Sequence, residues 1–337
     1  MDYLKLQFHD FLNEQGEVKI AGHTFYRDMI LRDLGGEGYQ LAFNEWLQQR
    51  QEENLSRADE ILSRYDNEGR FRKLKEIHQR GAIIPFVGAG LSIPSGYASW
   101  TGFLYRVLSE TRISKSDFDA LITDGLYEDA AQILFDNLPN GYFLEQVENE
   151  FGTKREITGP VQRLPYLFKN AVITTNFDSI ISECYANIAL CFDKELLGAD
   201  AQYLPRELGE NKRVLVKLHG EADSSRHRIF TKSEYEQHYS NQSFLENVIE
   251  AISNRTLLFI GCSLSVDRTI QALTNIVQRK GSENVPRHYA LLQLRNEDER
   301  LTRRDVLAAA NIYPIWYSDD HNDCIEALLE KLAEGVN

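Results

Sequence analysis

Four short stretches of this sequence place small, hydroxyl-bearing or titratable residues directly after an apolar run. Gly88-Ala89-Gly90-Leu91-Ser92 follows "AIIPFV", Asn176 and Asp178 follow "AVITT" in "TTNFD", His219-Gly220 closes "VLVKLHG", and Gly261-Cys262-Ser263 follows "TLLFI". A turn without β-carbons lets backbone N–H groups approach a pyrophosphate at a helix N-terminus. It serves equally as a plain structural turn: position 93 is Ile, which breaks the G-x-G-x-x-G dinucleotide fingerprint, and no G-K-[ST] phosphate loop occurs. Asn and Asp at a strand-to-helix turn are also ordinary helix caps. A lone histidine is commonly a surface or packed residue, yet at a strand's carboxyl end His219 would face the cleft that holds the glycine turn. Cys262 reads as a small packing residue, because no basic partner adjoins it in sequence.

The elements that must position these residues are six runs rich in β-branched and aromatic side chains, at 82–87, 171–175, 214–218, 256–260, 288–294 and 312–317. They are nearly continuous rather than alternating, as expected of parallel strands covered on both faces. Segments with helical spacing, such as "SFLENVIEAISN" and "NDCIEALLEKLAE", lie between or after them. The pattern predicts an α/β fold, a Rossmann-like doubly wound parallel sheet of about six strands. The long interval between the first two runs reads as helices ("DFDALIT", "LYEDAAQILFDNL", "FLEQVENEFG"), a helical insertion over about 101–168. Residues 1–80 are charged and helix-prone, a helical extension to the sheet domain of 81–337. Within it Tyr39, Phe43, Trp46 and Leu47 form a stripe at helical spacing that is expected either to dock on its own domain or to pack on another subunit.

Lys+Arg 37 against Asp+Glu 51 gives a net charge of −14, which argues against direct nucleic-acid binding through phosphate neutralisation. The four cysteines, Cys184, Cys191, Cys262 and Cys324, form no CxxC pair, so neither a zinc ribbon nor a disulfide framework is expected. The first residues lack a basic segment leading into an apolar core, and no 18-residue apolar run occurs. A soluble cytoplasmic protein without membrane contact is the expectation.

The ordered series strand–GAGLS, strand–TTNFD, strand–KLHG, strand–FIGCS resembles the sirtuin family of NAD-dependent enzymes, in its bacterial branch of NAD hydrolases found in antiphage defence. "SGYASW", "TKSEY" and "CSLSVDRTI" add to the likeness, which spans about residues 81–335. The resemblance implies NAD as substrate. It assigns Gly88, Ala89, Gly90 and Ser92 to the dinucleotide phosphates and Asn176 and Asp178 to the nicotinamide-ribose pocket, and counts Thr175 among the residues that bind the dinucleotide. It makes His219 the catalytic base, sets Gly261 and Ser263 on the adenosine side, and brings Ser318-Asp319 and the loop after "HYALLQL" near the adenine.

Deacylases of the same family carry a zinc ribbon with two cysteine pairs after the catalytic "HG", whereas "EADSSRHRIFTKSEYEQHY" here contains no cysteine. They also follow the glycine turn with a Phe-Arg pair where this chain has Trp100-Thr101. The resemblance therefore implies an NAD glycohydrolase without a metal, acting as a toxic effector by NAD depletion, that is, abortive infection. A protein deacylase or ADP-ribosyltransferase is the alternative enzyme. A module that senses NAD or ADP-ribose without cleaving it is the alternative of another class, though a sensor has no need of the base. A toxic hydrolase must stay silent until triggered, so assembly through residues 1–80 is expected, as a homo-oligomer or with an ATPase translocase such as accompanies some members of the branch.

Overall fold

A computed structural model describes residues 2–335 apart from 34, 140, 225–227, 240–241 and 265–267. The chain divides into two compact units, Met1–Glu60 and Ile61–Asn337.

In the first unit a hairpin of β1 (Val18–Ile20) and β2 (His23–Phe25) stands among helices. Its two-residue turn takes positive φ at Ala21 (50°) and Gly22 (83°), the backbone that matches the twist of paired strands. These three-residue strands are too short and too exposed to stand out from the helical composition around them. The aromatic stripe is covered within this unit: Phe43 and Trp46 of the helix Gly36–Leu62 pack on Leu4 and Phe8, with Phe8 ring centroids 5.3 Å from Phe43 and 5.5 Å from Trp46. Tyr39 and Leu47 flank the cluster. The stripe therefore docks on its own unit rather than being offered to another subunit.

The second unit is built on a seven-stranded parallel sheet. Its strands are β3 (Ile83–Val87), β4 (Ala171–Thr174), β5 (Lys194–Leu197), β6 (Val214–Lys217), β7 (Thr256–Ile260), β8 (His288–Gln293) and β9 (Ile312–Tyr317), in the order β5-β6-β4-β3-β7-β8-β9. Alternate residues feed two cores. Ile83, Val87, Val172, Leu215, Leu258 and Ile260 face one, while Ile84, Phe86, Ile173, Val216, Leu257 and Phe259 face the other. Burial on both faces is why these strands read as unbroken apolar runs. The seventh strand, β5, lies at the sheet edge with Lys194 and Glu195 exposed, so it carries no such run.

Between β3 and β4 the helices Trp100–Leu108, Lys115–Thr123, Tyr127–Asn137 and Tyr142–Val147 bury Phe103, Phe118, Leu134 and Phe143 into the first of these cores. Ser99 caps the first of them by accepting the Gly102 N–H. The helix Asn67–Gln79 places Phe71 and Leu74 in the same core, so the sheet unit begins at residue 61, upstream of β3.

Strand register decides where the site lies. Val87 pairs with Thr174 and with Ile260, and Thr174 pairs with Lys217. Four adjacent strands thus end level, and residues 88, 175, 218 and 261 emerge side by side at one carboxyl edge, where open α/β sheets bind ligands.

Candidate functional site

The glycine turn is joined to the end of β7. Gly88 N–H donates to the Ile260 carbonyl and Gly90 N–H to the Gly261 carbonyl, both at 2.9 Å. A β-carbon at Gly88 would lie 2.6 Å from that Gly261 oxygen, and one at Gly261 (φ 69°) 2.8 Å from Leu91 N. These glycines are required by the approach of two backbones. The Leu91 and Ser92 amides close on the carbonyls of Gly88 and Ala89. Ala89 and Gly90 remain partly exposed.

Ser92 links this turn to the next strand end. Its buried hydroxyl accepts the Asn176 Nδ2–H at 3.0 Å and donates to the Asp178 carboxylate. The Asn176 backbone is fixed by its N–H to Thr174 Oγ1 (3.0 Å), whose hydroxyl in turn donates to the Val87 carbonyl (2.8 Å). Asp178 also accepts the Ile180 N–H at 3.1 Å. Burial pushes its carboxyl up, against the hydrogen bonds from Ser92 and Ile180 and the charge of Lys217. Lys217, the last residue of β6 and itself buried, donates to the carbonyls of Phe177 (3.2 Å) and Asp178 (3.1 Å) and pairs with Glu221 at 3.5 Å. A buried ammonium thus holds the backbone of the "TTNFD" turn, a role the sequence reading missed because "VLVKL" reads simply as a strand.

His219 sits in an aromatic pocket. Its ring centroid is 6.0 Å from Phe177 and 6.1 Å from Trp100, and Trp100 stacks on Phe230 at 4.2 Å. Its Nε2 meets Tyr235 Oη at 2.5 Å. Burial lowers the imidazole from 6.5 to about 4, only partly offset by the Thr175 backbone, so it is neutral at pH 7. Tyr235 belongs to the "TKSEY" run. Its helix, Lys232–His238, starts with a capping box between Thr231 and Glu234. That helix is tied to the insertion by Lys232–Asp129 (2.7 Å) and by the Ser233 N–H to Gln132 (2.9 Å).

Of the residues predicted to meet the dinucleotide, Gly88, Ala89, Gly90, Ser92, Thr175, Asn176, Asp178 and Gly261 share this edge. Ser263 is exposed and its carbonyl accepts from Arg303 at 3.1 Å, while Ser318 is exposed after β9 and its hydroxyl accepts from Arg64 at 3.0 Å. Residues 265–267 of "CSLSVDRTI" lie outside the described residues. Cys262 is packed with its Sγ 3.5 Å from the Phe86 carbonyl. Among the described residues no group of three or more His, Cys, Asp or Glu side chains could hold a metal ion, and no helix is long and apolar enough to cross a membrane.

Comparison with known proteins supports the sirtuin-like resemblance. Residues 170–315 match the SIR2-like domain family. The chain is 28% identical over 244 residues to the NAD(+) hydrolase ThsA of Bacillus cereus (strain MSX-D12), covering 70% of this chain and 47% of that protein. It is 26% identical over 227 residues to ThsA of Acinetobacter baumannii (strain 532279), covering 66% and 44%. ThsA of Cytobacillus dafuensis is 24% identical over 243 residues, covering 72% and 47%. The chain thus spans just under half the length of these curated relatives.

Proposed function

We propose that this sirtuin-like chain is an NAD+ hydrolase that releases nicotinamide and ADP-ribose. The observation that carries the reading is the level ending of four adjacent strands, which gathers the glycine turn, Asn176, Asp178 and His219, with Ser92 bridging the first three. The similarity to ThsA proteins supports the same substrate. In the reaction, the bond from ribose C1′ to the cationic nicotinamide nitrogen breaks, the electron pair leaves with neutral nicotinamide, and a water oxygen bonds to C1′. The water proton passes to a base. His219, held neutral by burial, is that base, and such a group contributes about 10²–10⁴-fold. Asn176 uses its Nδ2–H on Ser92, which leaves its Oδ1 to orient water or a ribose hydroxyl. No covalent nucleophile is required.

In this reading the protein acts in the cytoplasm as a toxic effector of antiphage defence by depleting NAD, held silent until it assembles with its own copies or with an ATPase partner. Chromatography of NAD incubated with the purified chain and any co-encoded partner tests the activity. The expected products are nicotinamide and ADP-ribose in equal amounts, reduced by at least about 10²-fold in His219→Ala and Asn176→Ala. Unchanged NAD that nevertheless binds would establish a sensing module instead, and undiminished turnover in either variant would overturn the assignment of the site.

A further inference from the structure

We propose that His321 is a phosphate-binding residue of this site, its Nε2–H donating to the diphosphate of an adenine dinucleotide seated on the glycine turn. The proposal rests on the NAD reading and adds a residue to it. His321 opens the helix His321–Ala333 after β9, far in sequence from the turn. In space it abuts it: a β-carbon at Gly90 would lie 2.7 Å from His321 Nε2, so the missing side chain is what admits the imidazole edge.

The turn has few backbone donors to spare. The N–H groups of Gly88, Gly90, Leu91 and Ser92 are all engaged by carbonyls of the chain itself. His321 supplies one of the right kind. Its Nδ1 lies 2.7 Å from Tyr317 Oη. Tyr317 is buried, which pushes its phenol far above the ordinary range and keeps it an O–H, and a buried hydroxyl requires an acceptor. Nδ1 is that acceptor, so in the neutral imidazole the proton resides on Nε2. Burial lowers the His321 pKa and favours this neutral form.

Nε2 is itself buried and has no hydrogen-bond partner within the protein, an arrangement that a folded chain tolerates poorly unless a ligand or an ordered water completes it. The charges acting on the ring are Asp320 and Arg295. The Asp320 carboxylate caps the helix by accepting the Asn322 and Asp323 N–H groups, and Arg295, on the loop after β8, adds positive potential. A donor and a partly exposed glycine backbone suit an anionic oxygen, with Arg295 partly offsetting the stronger influence of the Asp320 carboxylate on the ring.

The test uses the full chain with ADP and ADP-ribose as probes, measured by calorimetry. His321→Leu is expected to weaken both by about 10–100-fold, the loss of one hydrogen bond to a charged group. His321→Gln, whose amide N–H can reach the same point, is expected to stay within about threefold of the parent chain. With NAD as substrate, the Leu variant should raise KM and leave kcat in place. Independently of any variant, the ¹⁵N shifts of His321 should show the proton on Nε2, and that N–H should shift when ADP is added. Unaltered affinity in His321→Leu, a proton on Nδ1, or an Nε2–H indifferent to ADP would each overturn the proposal alone. Failure of the parent chain to bind ADP-ribose and NAD would overturn it together with the hydrolase reading.

Discussion

Tyr235 Oη and His219 Nε2 lie 2.5 Å apart, and the two rings meet edge to face with centroids 5.5 Å apart. The pairing resembles the way a third group orients the base of a catalytic triad. Arg268 lies over the outer system, its Cζ 4.8 Å from the Tyr235 centroid, and pairs with Glu128 of the insertion. Tyr235→Phe keeps the ring contacts and removes the hydrogen bond. Its kcat for NAD should fall by about 2–10-fold, the worth of one neutral hydrogen bond, with KM little changed. Steady-state kinetics checks this, and a rise in KM at constant kcat would count against an orienting role.

The depressed pKa of His219 fixes a pH dependence. A base with the unperturbed value of 6.5 would lose activity as pH falls through 6.5, whereas His219 stays unprotonated down to about 4. The kcat/KM profile should therefore stay level from pH 8 to about 5 and decline only near 4. Stability should behave differently. His288 is fully buried, its Nδ1 accepting the Leu257 N–H at 3.1 Å, and burial lowers it to about 3. Below pH 6.5 the unfolded chain takes up protons at both histidines while the folded chain does not, so stability is lost as pH falls from 6.5 through about 4 toward 3. Urea midpoints across that range should decrease steadily, and His288→Asn should flatten the slope.

Six of the seven strands were legible because burial on both faces writes itself as an apolar run, and this holds even for β9 at one edge of the sheet. β5 was not, since this edge strand needs only Leu196 inside and carries Lys194 and Glu195 outside. The strand ends were legible as motifs, but their connections were not. Nothing in "GAGLS" shows that Ser92 serves both Asn176 and Asp178, because that link depends on the register of β3 against β4. Tyr235 and His321 escaped for the same reason: each meets the site only through tertiary packing, Tyr235 from the helix Lys232–His238 and His321 from the first turn of the helix after β9.

The junction of the glycine turn with β7 predicts a steric cost. A methyl group at Gly88 would meet Gly261 O at 2.6 Å, Cys262 Sγ at 2.8 Å and Cys262 Cα at 2.9 Å, two of them backbone atoms that cannot rotate away. Gly88→Ala should therefore force β3 and β7 apart at their ends and lower stability by about 1–3 kcal/mol. Denaturant unfolding checks the magnitude. Cys262→Ala/Gly88→Ala should recover little, because the carbonyl contact remains.

The first unit carries the prediction on assembly. Phe43 and Trp46 of its aromatic stripe are covered by Leu4 and Phe8, so a contact with another chain would rest chiefly on other residues. Seven of the fifteen exposed large apolar side chains among the described residues belong to it: Leu6, Phe11, Ile20, Phe25, Tyr26, Met29 and Leu41. That is close to half of them on less than a fifth of the chain, which makes this unit the part to test for contacts with another chain. The cut is placed at residue 60 because the next residues, Ile61 and Leu62, already belong to the core of the sheet unit with Phe71 and Leu74. Removal of residues 1–60 should leave a folded sheet unit of lower oligomeric mass by light scattering and alter NAD turnover in the presence of a co-encoded partner. The same mass and the same turnover as the full chain, alone and with that partner, would refute an assembly role for this unit.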